Sequence, residues 1–137
     1  MPFDLTSLEK AVESLETALA TYARAPHPPG SAEHELMRDG VIQRFEYTFE
    51  LSWKMLKRYL EEYGLERVDT LTNRDLFRLG AEQDLLRDAE AWLNYLRSRN
   101  LTSHTYDEAT AETVYQSARD FLRDARFLLA QLKAKMV

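Results

Sequence analysis

Cysteine is absent from the 137 residues, which removes disulfide frameworks, thiolate nucleophiles and cysteine-ligated zinc from consideration. Glycine and proline number only four each, too few for the closely spaced turns of a small all-β fold. Apolar runs extend a few residues at most, well short of the roughly 20 needed for a membrane-spanning helix. The opening Met1-Pro2-Phe3-Asp4-Leu5 lacks a basic segment followed by an apolar stretch, so the sequence predicts a cytoplasmic protein. Positive charge is not in excess either. The net charge of −5 argues against non-specific coating of nucleic acid, because few phosphates could be neutralised. Any contact with RNA must be local and made by a few placed cations.

Two site types are missing as well. The glycines at 30, 40, 64 and 80 are too scattered for a phosphate-cradling loop. No Glu-x-x-His occurs, which counts against a ferritin-like di-metal bundle. Neither a metal nor a cofactor is expected.

Hydrophobic residues make 45% of the chain and charged residues 30%, a globular mixture. A chain of this length fits one domain, residues 1–137, and buries about two thirds of its unfolded surface. Apolar residues recur at helical spacing throughout, and no segment alternates with period two for the length of a strand. The fold class is therefore all-α: an antiparallel four-helix bundle with an additional short helix.

The first helix is expected from Ser7 to Arg24, opened by a capping box of Thr6 and Glu9, with Leu8, Val12, Leu15, Leu19 and Tyr22 on one stripe. Pro26-His27-Pro28-Pro29-Gly30 stops it. The second runs from Ser31 or Ala32 to Tyr63 and closes on Gly64 as a left-handed cap. Its inner face reads Val41, Ile42, Phe45, Phe49, Trp53, Leu56 and Leu60. At 1.5 Å per residue it would span about 48 Å, long enough for one end to overhang toward a second subunit. Leu65 to Leu71 is a connector, and Thr72 to Gly80 a short helix capped by Thr72 with Asp75. Asp84 is expected to cap the next helix, which carries Leu85, Ala89, Trp92, Leu93 and Leu96 and ends near Arg99. A box of Thr105 and Glu108 opens the last, which continues to Lys133. The short connectors after the second and fourth helices predict antiparallel neighbours.

Several groupings have a plain and a functional reading. Phe45, Phe49 and Trp53 could stack nucleobases, but buried core is the stronger reading for residues of this type. Glu46 and Glu50 could be a carboxylate pair for acid–base work; a solvated face, with Glu50 paired to Lys54, is the stronger reading. His27 and His34 lack metal-ligand spacing and read as solvated surface.

The segment from Arg97 to Glu108 places Arg97, Arg99, Asn100, His104 and Tyr106 at one junction between helices. On a continuous helix Arg99 and His104 would lie about 140° apart. A break near Asn100 would turn both toward one cleft. Arg99 could grip a phosphate by two hydrogen bonds, and His104 could move a proton as general base. The same residues also suit a polar helix–helix corner, with Arg99 capping carbonyls. Spacing alone leaves both readings open.

Two stretches together carry a resemblance. Val41-Ile42-Gln43-Arg44-Phe45-Glu46-Tyr47-Thr48-Phe49-Glu50-Leu51-Ser52-Trp53-Lys54, continuing to Leu60 and Gly64, resembles the signature helix of the nucleotidyltransferase substrate-binding protein family, part of the HEPN superfamily of small helical bundles. Arg99-Asn100-x-x-x-His104-x-Tyr106 is similar to the superfamily's Arg-x4-His-x-Tyr motif. The resemblance covers nearly the whole chain. It implies a HEPN-like bundle, a homodimer, and a partner minimal nucleotidyltransferase. It further implies a metal-independent ribonuclease toxin acting on RNA, neutralised when the transferase attaches AMP to the motif tyrosine. By position, Arg99 and His104 would be catalytic, Asn100 supporting, and Tyr106 the modified residue. The other activity the family implies is a non-catalytic subunit that presents substrate to the transferase.

Overall fold

The computed structural model describes residues 4–24, 27–64 and 67–136. Pro26 and Leu65, assigned above to the stop of the first helix and the start of a connector, lie outside the described residues. The elements are α1 (Thr6–Arg24), α2 (Ala32–Tyr63), α3 (Asn73–Glu82), α4 (Ala89–Asn100), a single 3-10 turn (Thr102–His104) and α5 (Glu108–Lys135). Among the described residues there is no strand.

Side-chain pairings fix the directions. Thr48 of α2 donates to the Ala11 carbonyl of α1 at 3.1 Å, while nearer the loop Tyr22 meets His34, so α1 and α2 are antiparallel. Glu9 pairs with Lys133, and Glu16 with Arg126, so α1 also runs against α5. Tyr95 meets Asp124 and Ser98 meets Ser117, which makes α4 and α5 antiparallel as the short connector between them predicts. Consequently α2 and α5 are parallel, joined by Arg38 to Glu108 at one end and by Phe45 and Phe49 on Phe121 further along. Among the described residues α1 and α4 do not meet. The core is thus built across the α2–α5 diagonal, an up-down-up-down bundle of α1, α2, α4 and α5. The connector after α2 does not send the chain straight back. Trp53 donates to Asn73 at 3.2 Å, and Gly80 packs on Leu56, so α3 lies across α2.

Most of each apolar stripe expected from sequence is buried, while Leu19, Tyr22, Ala89 and Leu96 are partly buried at its margins. Phe45, Phe49, Phe77, Trp92 and Phe121 are enclosed, and Phe121 holds the middle, with its ring 5.0–5.7 Å from those of Phe45, Phe49, Trp92 and Tyr95. Such tilted and edge-on contacts suit the ring quadrupoles. Trp53 is only partly buried, with Lys57 over its ring.

The helix ends depart from expectation. At α1 the Asp4 carboxylate, not Thr6, accepts the Thr6 amide at 2.9 Å, and Thr6 is already helical. Asp88, not Asp84, caps α4 by accepting from the Glu90 and Ala91 amides. Asp84 instead sits in a left-handed turn at φ 60°. That turn drives Leu85 and Leu86 into the core, so burial of two leucines decides where the helix starts. At α5, Asp107 rather than Thr105 is the cap, accepting from the Thr110 amide at 3.0 Å. Thr72 caps α3 through the Asp75 amide as expected. Gly64 is extended (φ −81°, ψ 161°), not left-handed. Glycine is needed there because a Cβ would lie 2.4 Å from the Leu60 carbonyl oxygen, the acceptor of the Gly64 amide.

Candidate functional site

The chain between α4 and α5 breaks near Asn100 as expected: Asn100 completes α4 and Leu101 is its C-cap. Leu101 turns the chain into the 3-10 turn, whose three residues end at His104, and the turn packs against α2, α4 and α5. Thr102 Oγ1 stands 2.8 Å from the Arg99 carbonyl oxygen and 2.5 Å from Glu46 Oε2, its single hydrogen shared between the two, and Thr105 donates to the Thr102 carbonyl. Residues 101–107 make the reversal between α4 and α5, and Ser98 and Ser117, 2.5 Å apart, tie the two helices together beyond it.

Each motif residue has a distinct setting. Arg99 is half-buried and donates Nε–H to Glu50 Oε1 at 2.5 Å, with its Nη1 3.7 Å from Glu46 Oε2. It therefore binds side-chain carboxylates on α2, not the helix-end carbonyls offered by the polar-corner reading. Asn100 and His104 are exposed. Tyr106 is 87% exposed and precedes the Asp107 cap, so it lies outside α5. Its ring stands edge-on to that of His104, centroids 6.2 Å apart. Arg97 is exposed and bonded to Asn94.

Two sets of residues that sequence did not assign hold this rim in place. The first is the Glu46–Glu50 pair, taken above as a solvated face. Glu50 turns to Arg99 rather than to Lys54, and Glu46 accepts the Thr102 hydroxyl at 2.5 Å. Only their spacing of one turn, Glu-x-x-x-Glu, was visible in the sequence. The second is Arg38, 3% exposed, which grips both oxygens of Glu108 at 2.6 and 2.8 Å. That fork ties the first residue of α5 to α2. It depresses the Glu108 carboxyl below its ordinary value, and the same hydrogen bond pushes Arg38 further up. Asp107 is likewise depressed, chiefly by the Thr110 hydroxyl. His34, expected to be solvated, stacks near Tyr22 and lies 3.2 Å from its hydroxyl.

An open groove of about 540 Å³ runs between α1 and α2, lined by Lys10, Ser14, Met37, Gly40 and Arg44 among others. It lies on another side of α2, since Arg44 and Glu46 project about 160° apart around the helix. Gly40 floors this groove, and a Cβ there would meet only Arg44. Among the described residues no three His, Asp or Glu side chains converge as metal ligands, and no helix is long and apolar enough to cross a membrane.

Comparison with known proteins gives this arrangement a family. The model of the family described as nucleotidyltransferase substrate binding protein like matches residues 3–134. A Haemophilus influenzae protein named as a probable ribonuclease, HepT, is 40% identical over 98 residues, covering 70% of this chain and 67% of its own. A solved Haemophilus influenzae structure, described as revealing the fold of a substrate-binding domain of a nucleotidyltransferase, superposes with a TM-score of 0.86 at 34% identity. It covers 95% of this chain and 99% of its own. A crystal structure from Thermus thermophilus gives a TM-score of 0.71 at 37% identity, covering 91% and 98%. With the whole bundle matched and the Arg99–His104–Tyr106 motif displayed at its helix break, the chain belongs to the nucleotidyltransferase substrate-binding protein family of the HEPN superfamily.

Proposed function

We propose that the chain is a HEPN-type ribonuclease toxin that cleaves RNA without a metal ion at a site formed across a homodimer, and that a partner minimal nucleotidyltransferase neutralises it by transferring AMP to Tyr106. The observation that carries this reading is the single rim at the α4–α5 break, where the Arg99 guanidinium, the exposed His104 ring and the exposed Tyr106 hydroxyl lie within eight residues of sequence. A 40% identical relative named as a probable ribonuclease supports the same activity.

The chemistry follows from the groups available. His104 takes the proton of a ribose 2′-hydroxyl as general base. The 2′-oxygen attacks the adjacent phosphorus and the bond to the 5′-oxygen breaks; that oxygen takes up the proton His104 had removed, relayed through water, so a 2′,3′-cyclic phosphate and a 5′-hydroxyl result and His104 is restored. Arg99 stabilises the charge that builds on the non-bridging oxygens. Asn100, exposed beside Arg99, supports substrate by hydrogen bonding. The decisive assay incubates the protein with mixed RNAs in EDTA and in magnesium. Cleavage should persist in EDTA and leave cyclic-phosphate ends, and His104→Ala or Arg99→Ala should reduce it by about 100-fold or more. Intact RNA in both buffers would overturn the reading.

One observation favours a second reading, a non-catalytic subunit that presents substrate to the transferase. Arg99 is already engaged by Glu46 and Glu50, so its charge is partly committed before any phosphate arrives. Failure of the cleavage assay, with transferase activity that depends on this chain, would select it.

A further inference from the structure

Two carboxylates face the motif, and the mechanism above gives them no work. Glu46 and Glu50 are one turn apart on α2, so both leave the helix on one side. Glu50 Oε1 takes the Nε–H of Arg99 at 2.5 Å, and Glu46 Oε2 takes the Thr102 hydroxyl at 2.5 Å while standing 3.7 Å from Arg99 Nη1. Arg99 is in the last turn of α4, and Thr102 opens the turn that ends two residues later at His104. We propose that Glu46 and Glu50 are positioning residues, a two-carboxylate clamp on α2 that fixes Arg99 and the His104 turn relative to one another for attack at a phosphate. The proposal rests on the ribonuclease reading.

The physical case is one of geometry. A guanidinium carries five donors in a rigid plane. Binding at Nε orients that plane and leaves the terminal nitrogens for two phosphate oxygens. A long, unheld arginine would surrender its rotamer freedom only on binding substrate; a clamped one has surrendered it on folding. The same two carboxylates place an excess negative charge beside Arg99, which opposes a phosphate. Both are more than a third exposed, at 40% and 36%, so water and salt weaken that opposition. The hydrogen bonds, being local, keep their geometry.

The test compares Glu50→Ala, Glu50→Gln, Glu46→Ala and Glu46→Gln in the full-chain protein, with RNA cleavage followed in EDTA. The alanine variants should lose about 10- to 100-fold in kcat, the cost of a misplaced group, with KM shifting by no more than about threefold. The glutamine variants should recover most of the rate, because an amide oxygen still accepts the Arg99 or Thr102 hydrogen. Helical content and oligomeric state should be unchanged in all four. Alanine variants as active as wild type overturn the clamp, and more active ones overturn it and make the carboxylates a brake, with the ribonuclease reading intact in either case. Glutamine variants as inactive as alanine also overturn it, assigning proton transfer instead. If wild-type protein cleaves no RNA, the ribonuclease reading fails separately, and the clamp is judged by the Arg99 Nε–H signal in NMR. Its exchange with solvent should quicken about tenfold or more in Glu50→Ala; equal exchange would overturn the clamp.

Discussion

The Tyr95 hydroxyl donates to one oxygen of the buried Asp124 carboxylate across the α4–α5 seam, while Arg87 donates Nε and Nη2 to the other at 3.3 and 3.0 Å. Asp124 is 4% exposed, so each of its oxygens needs a partner. Tyr95→Phe leaves one of them unmet and should cost about 1–3 kcal/mol in urea unfolding. Burial, then the hydrogen bond to Asp124, raises the Tyr95 ionisation above its ordinary value of 10.0. A raised phenol contributes stability that is full below that value and declines as pH rises beyond it. Wild-type stability should therefore fall above pH 10 more steeply than that of Tyr95→Phe.

At the acid end the sign reverses. Glu108 and Asp107 are depressed below their ordinary values of 4.5 and 3.8 by the Arg38 and Thr110 hydrogen bonds. A depressed carboxyl contributes stability that is present above its ordinary value and lost as pH falls through the folded one. The thermal midpoint should hold steady near neutrality and drop below about pH 4.5. Glu108→Gln should flatten part of that drop, and differential scanning at a series of pH values would show it.

A homodimer should bring the 97–106 segments of two chains to one cleft. A single rim offers few phosphate ligands, with Arg99 half-committed to Glu50 and a net charge of −5; a two-fold axis doubles them without new sequence. Sedimentation should report a dimer at micromolar concentration. A cross-link between cysteines introduced at positions 97 of both chains should form readily. Monomer alone, or motifs on remote faces, refutes it.

Tyr106 should accept AMP from the partner transferase. Its hydroxyl is freely accessible, and an attached nucleotide would set a bulky anion beside His104, excluding RNA by size and charge. Incubation with transferase, ATP and magnesium should add one adenylate, mapped to Tyr106 by peptide mass spectrometry. Tyr106→Phe should lose both the adenylate and the protection. Adenylate elsewhere would reassign the handle.

Periodicity made the helices legible because each buries a stripe, and stripes are local: Val41, Ile42, Phe45, Phe49, Leu56 and Leu60 are enclosed where the spacing put them, with Trp53 alone of that stripe partly buried. Caps were less legible. Thr6, Asp84 and Thr105 all had the right neighbours, yet Asp4, Asp88 and Asp107 cap the helices, because several short polar side chains compete at each end and packing chooses among them. At Asp84 the choice was made by Leu85 and Leu86, whose burial no capping rule contains. The motif residues could be read as a group from their spacing and resemblance. What holds them could not. Glu50 is 49 residues from Arg99, and Arg38 is 70 from Glu108, separations that no local pattern spans.

Arg38, Glu46 and Glu50 make α2 a ruler as well as a wall of the core. One end of the ruler grips the start of α5, and eight to twelve residues along it grips the end of α4. Because the helix is continuous, deleting one residue between positions 38 and 46 would turn the two grips about 100° and slide them about 1.5 Å against each other. Substitutions on the outer face of that interval can drift freely, but its length cannot. Insertions and deletions in this chain should therefore collect in its loops and spare the interval from Arg38 to Glu50.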